Sequence, residues 1–146
     1  SIVLVIAIVC WMLYCINYGG ECGYNAFYLY NPITKTITVS GEGYMYPFEE
    51  NKAPWCDENI DKVIINEGIT HISAYAFANI GIEELSLPES LEYVGEYAFY
   101  CNHISEIIIP ANVTYIGQHA FEFSYDAKKI SILGSIPVKH KKGMKL

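Results

Sequence analysis

Arginine is absent from the 146 residues, and 3 of the 9 Lys precede residue 128. Without a planar guanidinium fork, bidentate clamping of phosphates or carboxylates loses its usual tool. All 16 acidic groups fall within residues 1–127, so that body repels nucleic acid and anionic lipid headgroups. No C-x-x-C or H-x3-H spacing occurs, which leaves zinc without a ligand framework. No Ser or Cys stands in a nucleophile elbow, and no P-loop or Rossmann spacing follows the G-x-G of "SGEGYMYPF"; a turn accounts for Gly41 and Gly43. The expectation is a non-enzymatic chain with no cofactor and no metal. An apolar run of full bilayer length is missing too. Ile2–Ile16 is apolar throughout, yet short of the ~20 residues a spanning helix takes. Residues 1–20 therefore read as a secretory signal cut near residue 20, or as a clipped membrane anchor. Either way the remainder is exported, secreted or held at the cell surface, and it meets a membrane only through that segment if uncleaved.

What the sequence does contain is a clock. "ISAYAF", "VGEYAF" and "IGQHAF" place Phe77, Phe99 and Phe121 at intervals of 22 residues. The copies span 60–81, 82–103 and 104–127, and a partial fourth covers 128–136. Apolar columns coincide along them: Ile60/Ile82/Ile104, Val63/Leu85/Ile107/Ile130, Ile65/Leu87/Ile109/Ile132, Ile69/Leu91/Val113, Ile72/Val94/Ile116 and Ala76/Ala98/Ala120. Such a period signals a solenoid. Val63-Ile64-Ile65 and its equivalents read as short strands with the outer two residues inward and the middle one outward. Pro88, Pro110 and Asn66-Glu67-Gly68 end them. The Ala-Phe pair closes each coil: Ala lets backbones approach, and Phe stacks on the Phe of the next coil at about 4.8 Å.

The pattern L-x-x-I-x-[LI]-P-x-x-[LV]-x-x-[IV]-G-x-x-A-F resembles the BspA-like, or Treponema pallidum-type, leucine-rich repeat of surface proteins from host-associated bacteria and mucosal protists. "ISEIIIPANVTYIGQHAF" fits it well; the first copy departs with Asn66 for Pro and Ser73 for Gly. The upstream "CGYNAFYLYNPITKTITVSGEGYMYPF" and "APW" look like the segment that precedes such arrays, so the resemblance covers roughly residues 22–137. It implies a mainly β, right-handed leucine-rich-repeat solenoid with short parallel strands in 22–23-residue coils and few or no long helices. Residues 21–59 are expected to form a β-hairpin cap, "AFYLY" and "TITVS" joined at Asn31-Pro32, with Trp55 and Cys56 seated on the first coil. At the other end, either the basic tail 137–146 blunts the array or the chain is a piece of a longer one. The function implied is an adhesive interaction module, with a protein or glycan partner on another cell or matrix. The competing class is a structural spacer.

Candidate site residues follow from the columns. His71/Tyr93/Tyr115 and Tyr75/Tyr97/His119 flank inward positions, so a catalytic histidine is not expected there. Stacked Tyr75, Tyr93, Tyr97 and Tyr115, with outward Ile64 and Ile108, form the candidate partner-binding surface. Lys62, Glu84, Glu106 and Lys129 share an outward ladder of mixed charge. Cys10 and Cys15 belong to the apolar leader. In an oxidising compartment a bridge between Cys22 and Cys56 would add about 3–4 kcal/mol, and Cys101 reads as a small buried apolar residue. Asn112-Val113-Thr114 is a glycosylation sequon in a eukaryotic secretory route.

Overall fold

The computed structural model describes residues 2–124 and 127–135, with α1 side chains described at residues 2–10 and 18. Helix α1 (Ile2–Tyr18) is apolar and leads into β1 (Gly19–Glu21). No helix among the described residues is long and apolar enough to cross a membrane.

The hairpin is present. Strands β2 (Gly23–Asn31) and β3 (Thr36–Met45) pair antiparallel, and β1 adds to the outer edge of β2. Asn31 explains the turn: its Oδ1 accepts from the Ile33 and Thr34 amides at 2.9 and 3.2 Å. Gly41 and Gly43 sit within β3 rather than in a turn, with φ of 120° and 82°. A Cβ at Gly41 would lie 2.1 Å from the Asn25 carbonyl oxygen. These two glycines bend β3, so its first half pairs with β4 (Lys62–Ile65) and its second half with β5 (Ile69–Ile72). One hairpin strand thus covers both strand edges of the first coil.

From there the chain coils. Strand β4 pairs parallel with β6 (Glu84–Ser86), and β8 (Glu106–Ile109) with β10 (Lys129–Ile132). On the second stack, β5 pairs with β7 (Tyr93–Val94), and β7 with β9 (Tyr115–Ile116). The Ala-Phe segments make a third ladder: the Phe77 amide donates to the Ala98 carbonyl, and Phe99 to Ala120, both at 2.8 Å.

The core is the expected spine. Phe77, Phe99 and Phe121 are buried, with centroids 5.4 and 5.2 Å apart and rings within 9° of parallel. The cap extends this spine. Trp55 is fully buried, lies 5.0 Å from Phe77 at 14°, and its Nε1–H donates to the Ala76 carbonyl at 2.9 Å. Tyr28 and Phe48 pack edge-on against it. Cys56 packs half-buried beside this cluster.

Gly95 and Gly117 have a steric reason. A Cβ on Gly95 would stand 2.5 Å from the Ala74 nitrogen, and one on Gly117 2.4 Å from the Glu96 nitrogen. Neither glycine has positive φ, so the requirement is close approach between coils. Gly95→Ala is therefore expected to cost about 1–3 kcal/mol in urea unfolding. A cost below a few tenths would mean the coils separate freely.

Candidate interaction surface

The two aromatic columns are continuous ladders. His71 stacks on Tyr93 at 5.3 Å and Tyr93 on Tyr115 at 4.5 Å, with interplanar angles of 20° and 5°. Tyr75 stacks on Tyr97 at 5.0 Å and Tyr97 on His119 at 4.7 Å, at 3° and 23°. All six rings are half-buried. Strands β5, β7 and β9 hold the first ladder in register. The second is held by an unusual backbone: Tyr75, Tyr97 and His119 each adopt φ of 54–57°, a region that disfavours bulky side chains. Inter-coil hydrogen bonds from the Tyr75 and Tyr97 amides, to the Glu96 and Gln118 carbonyls, hold it there. Sequence offers no signal for that conformation at Tyr or His.

Electrostatics ties the ladders together. Burial raises the Tyr93 pKa, followed by the Tyr115 hydroxyl to which it hydrogen-bonds and then by the Glu96 carboxylate. Tyr75 is also raised, by desolvation first, then by Tyr97, Glu50 and Glu96. The Glu96 carboxylate is thus a minor contributor at both Tyr75 and Tyr93. His119 pairs with Glu122 and the His71 ring nitrogen with Thr70 Oγ1, so both imidazoles are anchored side groups of the ladders.

Ile64 and Ile108 are not part of this strip. They lie on β4 and β8, in register with Thr38, Ser86 and Ser131, and Ser86 separates them. Ile108 is exposed and Ile64 half-buried. In the charge ladder Lys62 meets Glu84 at 2.7 Å and Lys129 meets Glu106 at 2.6 Å, each pair solvent-exposed and worth at most about 1 kcal/mol. The described residues contain no cluster of His, Cys, Asp and Glu fit to hold a metal.

The candidate Cys22–Cys56 bridge is not formed: both are free thiols. Cys22 is fully buried between β1 and β2, where its carbonyl accepts from the Tyr46 amide and its amide donates to the Ala26 carbonyl. Burial pushes its pKa up to about 12. Because folding holds the proton on, this contribution to stability is whole below the ordinary thiol range and declines as pH rises from there toward 12. Cys22→Ala is expected to flatten the alkaline fall in unfolding free energy, measured by urea titration between about pH 8 and 11. An unchanged slope refutes it. Cys101 is half-buried rather than buried, and sits at φ 56°. Asn112 is exposed, and its Nδ2 donates to the Glu89 carbonyl at 2.7 Å.

Sequence reasoning missed Asn102, a fully buried polar side chain. Its Oδ1 accepts from the Ile82 amide at 3.0 Å, and its Nδ2 donates to the Phe77 and Phe99 carbonyls at 2.8 and 2.9 Å. The corresponding residues are Ile80 and Ser124, so no repeating column announces it.

Coiled parallel ladders around an aromatic spine, capped by a hairpin, define a leucine-rich-repeat β-solenoid. The family model described as "BspA type Leucine rich repeat region (6 copies)" matches residues 51–140, and the chain belongs to that family. Among solved structures, a leucine rich cell surface protein from Faecalibacterium prausnitzii is 32% identical, with a TM-score of 0.52, over 55% of this chain and 21% of its own. A leucine-rich repeat protein from Eubacterium ventriosum is 17% identical, with a TM-score of 0.47, over 78% of this chain and 43% of its own. The chain thus spans about a fifth of the first structure's length and less than half of the second's. No curated protein matches it.

Proposed function

We propose that the chain is the interaction module of an exported surface protein, adhering to a partner on another cell or in the matrix through the two aromatic ladders. It works without catalysis or a cofactor. The carrying observation is the pair of three-ring stacks set on successive coils of one solenoid. Their stacking covers most ring faces mutually, so the strip offers chiefly edges and hydroxyls. That geometry favours hydrogen-bonding contact with a protein over stacking of sugar rings on open faces. Family membership and the surface protein from Faecalibacterium prausnitzii support an exported setting. In that setting residues 1–20 serve as the export signal or membrane attachment.

The test is binding of residues 21–146 to matrix proteins and mucins by biolayer interferometry. Joint Tyr93→Ala and Tyr115→Ala substitution is expected to abolish binding while the circular dichroism spectrum is retained. Unchanged binding by the double variant removes the strip from the contact. Failure of the wild-type fragment to bind any such surface favours the second reading, a spacer that holds another part of a longer protein away from its attachment.

A further inference from the structure

On its cap side the inter-coil ladder is open just beyond β5. In the second coil the Gly95 amide donates to the Ile72 carbonyl at 2.8 Å, and the Glu96 carbonyl accepts from the Tyr75 amide at 3.1 Å. The third coil repeats this: Gly117 donates to Val94 at 2.8 Å, and Gln118 accepts from Tyr97 at 3.0 Å. The corresponding groups of the first coil are the Ser73 N–H and the Ala74 C=O. Neither has a hydrogen-bond partner among the described residues.

The cap closes the ladder on both sides of this gap. Upstream, Tyr44 of β3 pairs with His71. Downstream, the Trp55 indole occupies the Ala76 carbonyl. Between them the chain turns away at Tyr46, whose amide goes back to the Cys22 carbonyl at 2.7 Å. A groove of about 330 Å³ remains, with Tyr44, Met45, Pro47, His71, Ser73 and Tyr93 among its walls. Ser73 stands where the later coils need Gly, because no preceding coil presses on it. Its Oγ is the buried side-chain polar atom without a hydrogen-bond partner among the described residues. The buried Ser73 hydroxyl is costly to leave unsatisfied, and the Ser73 N–H and Ala74 C=O beside the apolar groove have no partner among the described residues.

We propose that this groove binds a short peptide segment of a protein partner by extending the inter-coil ladder. The segment's C=O at residue i accepts from the Ser73 N–H, and its N–H at residue i+3 donates to the Ala74 C=O, the spacing Ile72 and Tyr75 use on the second coil. The Ser73 hydroxyl turns to a third backbone group, and a side chain rests against Tyr44 and His71. Residue i+3 adopts positive φ, as Tyr75 and Tyr97 do, so Gly or Asn is preferred there. The inference rests on reading the chain as a protein-binding module, and it adds a second contact to the ladders.

The probe is an acetylated, amidated peptide copying Tyr93–Ala98, added to the isotope-labelled chain in nuclear magnetic resonance titrations. Amide shifts centred on Tyr44, His71, Ser73 and Ala74 are expected. Methylating the peptide nitrogen that copies Tyr97 is expected to weaken binding about tenfold, the loss of one hydrogen bond to a group left unpaired. Equal affinity of the two peptides, shifts centred elsewhere, or no shifts at millimolar peptide overturns the proposal. Lys129→Ala, in the exposed charge ladder on β10 and outside the groove, is expected to leave the shifts intact; their loss in that variant also counts against the groove. Because Tyr93 walls the groove as well as standing in a ladder, the peptide titration of the unsubstituted chain, and not the double Tyr variant, decides this proposal.

Discussion

Trp55→Ala is expected to lower the free energy of unfolding by about 3–5 kcal/mol, the range for emptying the site of a large buried aromatic. Three losses coincide there. The indole ends the ring column on Phe77 at 5.0 Å, holds Tyr28 and Phe48 by their edges, and satisfies the Ala76 carbonyl. A stability of ordinary size would be cut by about a third or more. Trp55→Phe is expected to recover most of the packing while leaving the Ala76 carbonyl unpaired, and so to cost about 1–3 kcal/mol. Urea unfolding followed by circular dichroism reads both variants. A loss under about 1 kcal/mol for Trp55→Ala would show that the cap does not seal the first coil.

Asn102→Leu is expected to cost as much, about 3–5 kcal/mol, although it replaces a polar core residue with an apolar one of similar size. The Ile82 amide and the Phe77 and Phe99 carbonyls would be left buried without this partner, at about 1–3 kcal/mol each before relaxation. Asn102→Asp separates the hydrogen-bond account from packing. The new carboxyl keeps an acceptor for Ile82 but, when charged, faces two carbonyls in a buried site. Its folded pKa is therefore raised above the unfolded value near 3.9. The variant should approach wild-type stability below that value, where the protonated acid donates to a carbonyl, and lose stability as pH rises through its folded pKa. A difference from wild type that does not vary with pH would refute this account.

The period of 22 and the inward columns were legible because burial repeats with the coil. Ile72, Val94 and Ile116, or Ala76, Ala98 and Ala120, are buried in every copy. The hairpin was legible from β-rich runs around an Asn-Pro turn, and the two aromatic columns from simple alignment. Other features break the repeat and so escaped it. Asn102 has no polar equivalent in the first copy. The positive φ of Tyr75, Tyr97 and His119 belongs to the ladder, which overrides residue preference. The glycines of "SGEGYMYPF" read as a turn because a bend inside a strand uses the same residue; only the pairing of β3 with both β4 and β5 tells the two apart. Cys22 and Cys56 bracket a segment in sequence, yet Cys22 is committed to the core as a thiol. Ser73 was visible as a departure from Gly, but its meaning depended on the empty space above it.

The stacked rings have a bearing on how the molecule comes apart. Each Phe leans mainly on its two neighbours along the axis, so cohesion is a chain of short-range links with no contact spanning several turns. Under chemical or mechanical stress the coils should detach in sequence, beginning far from the indole. Amide exchange would then show a gradient, fast around Phe121 and slow around Phe77, in place of one shared opening rate.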